Sequence, residues 1–241
     1  MHLPTDSPAA PAATGAALPE RVVVRLLVVL SVAAGCLDVL CVTRLGGVFA
    51  SVVTGNLVQL GRAMATVDGR LTAAGSAAVG GYALGVAAGT VALPVARGTG
   101  WHRRTSLVVA GEAILLTAVA VAWPAVGAQP GRTTAPLLLG LAATAMGVQS
   151  AVTISSGVRG ASTTYLTGTL TDVVRVLAGD PHRIASVAGS AVRLAALLCG
   201  AVVGALALRF APPWAPVLPM VLAGAVVVAA AALGRGRREE R

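Results

Sequence analysis

Two short segments of similar sequence, TGNL at Thr54–Leu57 and TGTL at Thr167–Leu170, decide the architecture of this chain. Each follows a long apolar stretch that contains a glycine at nearly the same distance, Gly35 in the first case and Gly147 in the second. Self-similarity of this kind is the sequence signature of an internal repeat. The chain is therefore predicted to consist of two related halves.

The halves are made of apolar stretches that are long enough to cross a membrane. Of the 241 residues, 56% are hydrophobic and 11% are charged, whereas a soluble domain carries about 25% charged residues. Stretches of about 20 apolar residues, the length that spans a bilayer core, recur between short connections that carry arginine. Six transmembrane helices are predicted, at about 22–43, 72–96, 106–124, 135–157, 185–208 and 215–233.

The order of elements is the same in each half: a span, a short helix that carries the Thr-Gly pair, and two further spans. The short helices are expected at 55–65 and 168–178, about half the length needed to cross. Because three spans is an odd number, the second half enters the membrane from the opposite side, as in the inverted repeats of many secondary transporters. The predicted parts are a disordered tail at 1–20, the repeats at 21–130 and 131–234, and a charged tail at 235–241.

The charge of the chain indicates orientation in a bilayer. The net charge of +9 comes from arginine alone, and the arginines lie at span ends and in the tail. With the N-terminus inside, twelve arginines fall on inner segments and five on outer segments, while Arg193 lies within a span. Positive residues favour the cytoplasmic side. We therefore expect both termini in the cytoplasm and the lipid bilayer, not nucleic acid, as the partner.

Several segments resemble a known family. They are AGCLD at 34–38, GGVF at 46–49, TGN at 54–56, MGVQSA at 146–151 and TTYLTGTL at 163–170. Together they resemble the YoaK-type family of uncharacterised multi-pass membrane proteins, a domain of unknown function, over nearly everything except the tails. The resemblance implies a location in the bacterial inner or plasma membrane, and it brings no established activity.

The N-terminal ends of the two short helices are the first candidate site. Thr54 and Thr167 are predicted N-caps, and the adjacent Gly55 and Gly168 permit a ligand or another backbone to approach closely. A helix N-terminus favours an anion or a carboxylate. Further polar contacts to a solute are predicted for Asn56, Thr169 and Gln149. Tight helix packing by these Thr and Gly residues is the alternative interpretation.

Three ionisable residues are predicted at membrane depth: Asp38, Glu112 and Arg193. An ion in hydrocarbon is costly unless it is paired or hydrated, so these side chains are expected to face the interior of the bundle. An ion pair between Arg193 and either carboxylate would bridge the two halves. Such a pair would be either structural or part of a coupling or substrate site.

Small residues mark one face of two predicted spans. Gly81, Gly85 and Gly89 lie on one face of the second span, and Gly200 and Gly204 repeat the spacing in the fifth. Small residues at this spacing let helices approach closely. We therefore expect the second and fifth spans to pack together. The sequence does not decide between a monomer and a homodimer.

The leading hypothesis for function is a small-solute transporter or permease with a midplane site at the Thr-Gly helices, an anion being the solute class that those helix ends favour. The alternative is a non-transporting membrane sensor or interaction partner that presents its arginine-rich segments to other proteins. No Ser/His or Cys/His constellation, zinc-protease pattern or phosphate loop is present, so an enzyme is not expected. Scattered histidines and three cysteines without CxxC spacing predict neither a metal site nor a cofactor.

Overall fold

The computed structural model describes residues 17–93, 100–126, 131, 133–158, 166–179, 182 and 184–239, without the side chains at 125–126, 166–167, 184 and 236–239. These residues form helices and connections and contain no strand. The helices are α1 (Glu20–Arg44), α2 (Val53–Ala65), α3 (Gly69–Ala92), α4 (Arg103–Val126), α5 (Thr134–Ser155), α6 (Leu166–Gly179), α7 (Ile184–Phe210) and α8 (Val217–Glu239). A 3-10 turn, Pro212–Trp214, precedes α8.

Six helices, α1, α3, α4, α5, α7 and α8, are long and apolar enough to cross a membrane. This confirms the predicted number of spans. Their outward surfaces carry large apolar side chains such as Leu84, Ile114 and Val228, each more than half exposed. A soluble protein rarely exposes so much contiguous apolar surface, whereas lipid accepts it. The protein is therefore a multi-pass membrane protein in contact with the bilayer.

The two remaining helices, α2 and α6, have 13 and 14 residues and are too short to cross. Each begins two residues before the predicted start. The N-cap of α2 is Val52, which makes no side-chain capping bond, and α6 already includes Leu166. Thr54 and Thr167 thus lie inside the first turns of their helices, and the prediction that they are N-caps was wrong.

Four helices form a central ring. In it α1 and α4 each pack against both α5 and α8. Outside the ring α3 lies on α5 and carries α2, while α7 lies on α1 and carries α6. The predicted packing of the second span against the fifth was wrong, because α3 and α7 lie on different helices of the ring.

Glycines bring the outer helices into backbone contact with the ring. A Cβ built at Gly35 would collide with the carbonyl oxygen of Leu197, and one at Gly200 would collide with that of Val32. Where α1 meets α7, neither helix therefore has room for a side chain at these positions. Gly204 extends it, because a Cβ there would lie 2.9 Å from Cα of Cys36.

The contact between α3 and α5 is built in the same way. A Cβ at Gly85 would collide with the carbonyl oxygen of Thr144, and one at Gly147 with that of Tyr82. Small residues permit this approach because no side chain separates the two backbones. The other predicted packing glycines of α3 that meet α5 are Gly81 and Gly89.

At each end of the bundle, a hydrogen bond ties a connection to a neighbouring part of the chain. At one end, called the Trp101 end, the Gly100 N–H donates to the Ser156 carbonyl at 3.1 Å. At the other, called the Arg44 end, Nε1 of Trp123 donates to the Pro212 carbonyl at 3.1 Å. Of the predicted N-terminal tail, residues 1–16 are not among those described, and α8 continues through residue 239 of the predicted C-terminal tail.

Candidate functional site

The connection between α1 and α2 turns back toward the core. Gly46 and Gly47 have φ values of +124° and +79°, a backbone region that favours glycine. The chain then returns alongside the last turns of α1 as far as the level of Asp38. Asp38 lies six residues before the end of α1, which corresponds to about 9 Å of helix. The returning segment, residues 45–52, is called the re-entrant loop below.

Asp38 holds this loop from the side of α1. Its Oδ1 accepts hydrogen bonds from the backbone N–H of Ala50 at 2.9 Å and of Ser51 at 2.8 Å, and its Oδ2 accepts one from the Ser51 hydroxyl at 2.5 Å. All three residues are buried. Irregular backbone at membrane depth requires partners inside the protein. The first role of Asp38 is therefore to supply them.

Asn56 holds the loop from the side of α2. Its Oδ1 accepts from the Phe49 N–H at 2.9 Å, and its Nδ2 donates to the Phe49 carbonyl at 2.7 Å. Asn56 was predicted as a solute contact, but these bonds commit both ends of its amide to the loop. Of the neighbouring residues in the predicted site, Thr54 is exposed and Gly55 is half-buried.

In the second half the corresponding polar residues are different. Ser150 stands where the repeat predicted from the sequence has Asp38, and its Oγ accepts a hydrogen bond from the Tyr82 hydroxyl at 2.8 Å. Thr169 is buried and Gly168 is exposed. The side chain of Thr167 lies outside the described residues. Among those described, α2 and α6 do not form a packed pair, so the two Thr-Gly segments are not brought together as the midplane site required.

The predicted ion pair with Arg193 is also not formed between the described residues. Arg193 is buried in α7 and donates from Nη2 to the Ser190 hydroxyl at 3.2 Å. Asp38 bonds to the re-entrant loop instead. Glu112 belongs to α4, which packs against α5 and α8 but does not form a packed pair with α7. The carboxylates and the guanidinium therefore belong to separate interfaces.

Glu112 is the most isolated polar side chain in the described core. It is fully buried, and neither of its carboxyl oxygens has a hydrogen-bond partner there. It lies on the inward stripe of α4, between Val109 and Leu116, which are also buried. A buried carboxyl without partners is costly, so its presence in an otherwise apolar stripe indicates a role other than stability.

Gln149 on α5 has a similar environment. It is buried, and its Nε2 donates to the Leu30 carbonyl of α1 at 3.3 Å. Its Oε1 has no partner among the described residues. The sequence placed Gln149 with the Thr-Gly segments, whereas the structure places it between α5 and α1 in the ring.

Glu112 and Gln149 lie within one helical turn of the same level of the bundle. The bond from Gly100 to Ser156 joins the start of α4 to the end of α5, so these packed helices are antiparallel. Glu112 is fourteen residues before the end of α4 and Gln149 is fifteen after the start of α5, so each is about 21–23 Å from the Arg44 end. We call this pair the polar layer.

Two apolar clusters lie on either side of the polar layer. The cluster toward the Trp101 end contains Val109 of α4 and Val152 of α5. The cluster toward the Arg44 end contains Leu116 of α4 and Met146 of α5. The polar layer thus lies between apolar side chains of α4 and α5, and the buried hydroxyls of Ser31 and Thr153 near it already donate to carbonyls of their own helices.

A cavity of about 360 Å³ opens at the Arg44 end, beside the re-entrant loop. Arg44, Arg62 and Arg70 line it together with Asp68. Oδ1 of Asp68 accepts from the N–H groups of Arg70 at 3.1 Å and Leu71 at 3.0 Å and so caps α3. Three positive side chains against one carboxylate favour an anion in this cavity. From the sequence, these arginines indicated only the orientation of the chain, and no pattern predicted that they share a cavity.

Comparison with known proteins assigns a family but no activity. Residues 26–229 match the family model described as protein of unknown function (DUF1275). Over 159 residues the chain is 31% identical to the UPF0700 transmembrane protein YoaK of Bacillus subtilis (strain 168), and the aligned part covers 64% of this chain and 67% of that relative. No solved structure matches the chain.

Proposed function

The chain belongs to the DUF1275 family of membrane proteins, and from that premise we propose that it is a small-solute transporter that works by alternating access. The proposed solute is a small anion. The protein would act in the inner or plasma membrane, with both termini in the cytoplasm. The observation that carries the proposal is the arginine-lined cavity beside a re-entrant loop that two buried side chains hold in place.

The packing of the helices supports an inverted repeat. Exchanging α1 with α5, α2 with α6, α3 with α7 and α4 with α8 converts each main packing pair either into another one or into itself. The contact of α1 with α7 becomes that of α5 with α3, and the contact of α4 with α5 becomes that of α8 with α1. The glycines Gly35 and Gly147 occupy equivalent places in the first of these contacts. Inverted repeats allow one half to take the conformation of the other, which is the basis of alternating access.

The short helices fit the same architecture. Helix α2 follows a span that ends at the Arg44 end, and α6 follows one that ends at the Trp101 end. In this proposal each is a half helix that enters the membrane from its own side. Transporters tolerate such interruptions where the backbone is buried in protein or lines a cavity. The bonds from Asp38 and Asn56 meet that condition for the first loop.

The cavity gives the proposal its solute class. The arginine distribution along the sequence favours the Arg44 end as the outer side. A positively charged cavity on that side would attract an anion and raise its local concentration next to the loop. The solute site itself would then lie between the re-entrant loop and the ring, since an alternating-access site has to be reached from both sides.

The test is uptake of small anions into proteoliposomes. The purified protein is reconstituted and offered inorganic phosphate, sulfate, acetate and lactate, each against protein-free liposomes. We expect saturable uptake of at least one anion, several-fold slower with Arg62→Gln. Arg104→Gln is the matched control, because this arginine is exposed at the opposite end and should leave the rate unchanged. The proposal fails if no anion enters faster than in protein-free liposomes, and binding without uptake would support the alternative sensor.

A further inference from the structure

The polar layer contains three buried oxygen acceptors that lack a donor among the described residues. They are the two carboxyl oxygens of Glu112 and Oε1 of Gln149. Each is enclosed by protein, since Glu112 is 0% exposed and Gln149 1% exposed. Buried polar atoms are normally hydrogen-bonded, and an exception requires an explanation. Three such acceptors close to one level fit a ligand that brings a proton or a positive charge.

The helices around Glu112 offer no such charge in the part of the chain that the structure describes. Helix α5 contains no titratable residue, and α8 contains none before Arg235, about 10 Å from its middle. Helix α3, which touches α4 weakly, has Arg70 at its far end and Tyr82, whose hydroxyl donates to Ser150. On α4 itself, Arg103 and Arg104 lie about 12–14 Å from Glu112. The 3-10 turn packed on α4 has no titratable residue. Helix α1 meets the layer at Leu30, and along its axis the exposed Arg25 lies about 7 Å from that residue. Cys36 and Asp38 of α1 lie about 9 and 12 Å from Leu30 and are bonded to the Gly200 carbonyl and to the re-entrant loop.

The number of protein oxygens argues against Mg²⁺ and Ca²⁺ and fits a proton. Mg²⁺ takes six ligands and Ca²⁺ takes 6–8 oxygens, whereas the polar layer supplies three. A proton needs one oxygen. When it binds to Glu112, the carboxylate becomes a carboxylic acid, and one of the three acceptors becomes a donor. No other group is consumed, and the proton leaves by the reverse step.

We propose that Glu112, together with Gln149, is a proton-binding site in the middle of the membrane-spanning bundle. The site lies between two apolar clusters, so water reaches it only when the ring opens toward one end. Its use in coupling rests on the proposed function: a proton carried with an anion would offset the charge of that anion in the membrane. Proton binding itself stands without that function.

The test is infrared spectroscopy of the purified protein in lipid, in which a neutral carboxyl has a carbonyl band separate from the amide bands. We expect this band at neutral pH, its loss in Glu112→Gln and its decrease as the pH is raised. Gln149→Leu should shift its frequency, because the neighbouring amide oxygen is removed. Asp38→Asn is the matched control, since Asp38 is also buried but already accepts three hydrogen bonds. Glu20→Gln, at an exposed position, is the second control if Asp38→Asn does not fold.

Three results would overturn the proposal. The first is the absence of a neutral-carboxyl band at every pH at which the protein is folded. The second is a band that survives in Glu112→Gln. The third is loss of the band when Na⁺ is added at constant pH, which would identify a metal cation as the occupant. Because the measurement involves no solute, its outcome is independent of the uptake experiment.

Discussion

Replacing Asp38 with alanine should release the re-entrant loop. The change removes the acceptor of two buried backbone N–H groups, those of Ala50 and Ser51, and of the Ser51 hydroxyl. The hydroxyl can rotate toward another acceptor, but the two N–H groups cannot. A buried donor left without a partner costs about 1–3 kcal/mol, so the two together should lower the free energy of unfolding by about 2–6 kcal/mol.

Asp68 provides the matched control for this prediction. It also accepts bonds from two backbone N–H groups, those of Arg70 and Leu71, but it is exposed. Water can replace its carboxylate, so Asp68→Ala should cost only about 1 kcal/mol, the usual value for a helix N-cap. Since both variants lose two bonds to backbone N–H groups, the difference between their free energies of unfolding reports the effect of burial.

The free energy of unfolding is measured for both variants by titrating mixed micelles with a denaturing detergent. Amide hydrogen exchange, read by mass spectrometry, locates the effect. Residues 50 and 51 should exchange much faster in Asp38→Ala, while the amides at the start of α3 should change only in Asp68→Ala. If Asp38→Ala is no less stable than Asp68→Ala, the buried bonds do not hold the loop and the reasoning is refuted.

Two further predictions concern packing and the second anchor of the loop. Gly85→Ala should destabilise the protein by about 1–3 kcal/mol, because the new Cβ would collide with the Thr144 carbonyl, whereas Gly80→Ala on the same helix faces open space and should stabilise it slightly; equal effects in a detergent unfolding titration would contradict the close contact. Asn56→Ala removes both hydrogen bonds to Phe49 and should lower the free energy of unfolding by about 2 kcal/mol or more. The Phe49 amide should then exchange faster, and unchanged exchange at Phe49 would show that Asn56 does not hold the loop.

The spans could be predicted from the sequence because bilayer thickness fixes the length of an apolar helix. Helix starts were less accurate. Thr54 is a good capping residue, but α2 begins earlier, at Val53. The preceding backbone is already bonded to Asp38 and Asn56, so the start of α2 is set by tertiary contacts and not by a capping hydroxyl.

Partners across the bundle could not be predicted from spacing. A row of glycines shows that a helix has a face for close contact, but not which helix meets it. Arg193 was paired with Asp38 or Glu112 because an ion within the membrane needs a partner. In the structure α4 and α7 pack on different helices, so two residues at similar depth are separated. The isolation of Glu112 from hydrogen-bond donors needed coordinates, because it depends on what three other helices place around it.

The glycine contacts determine which parts of the molecule can shift as units. Backbone meets backbone where α1 touches α7 and where α3 touches α5, so we expect each pair to move as one unit. Each pair joins one helix from the first half of the chain to one from the second. Each of these two units therefore contains helices from both halves of the sequence. A chain cut between residues 126 and 134 would yield two fragments, each of which lacks the helices that pack against its own glycine faces.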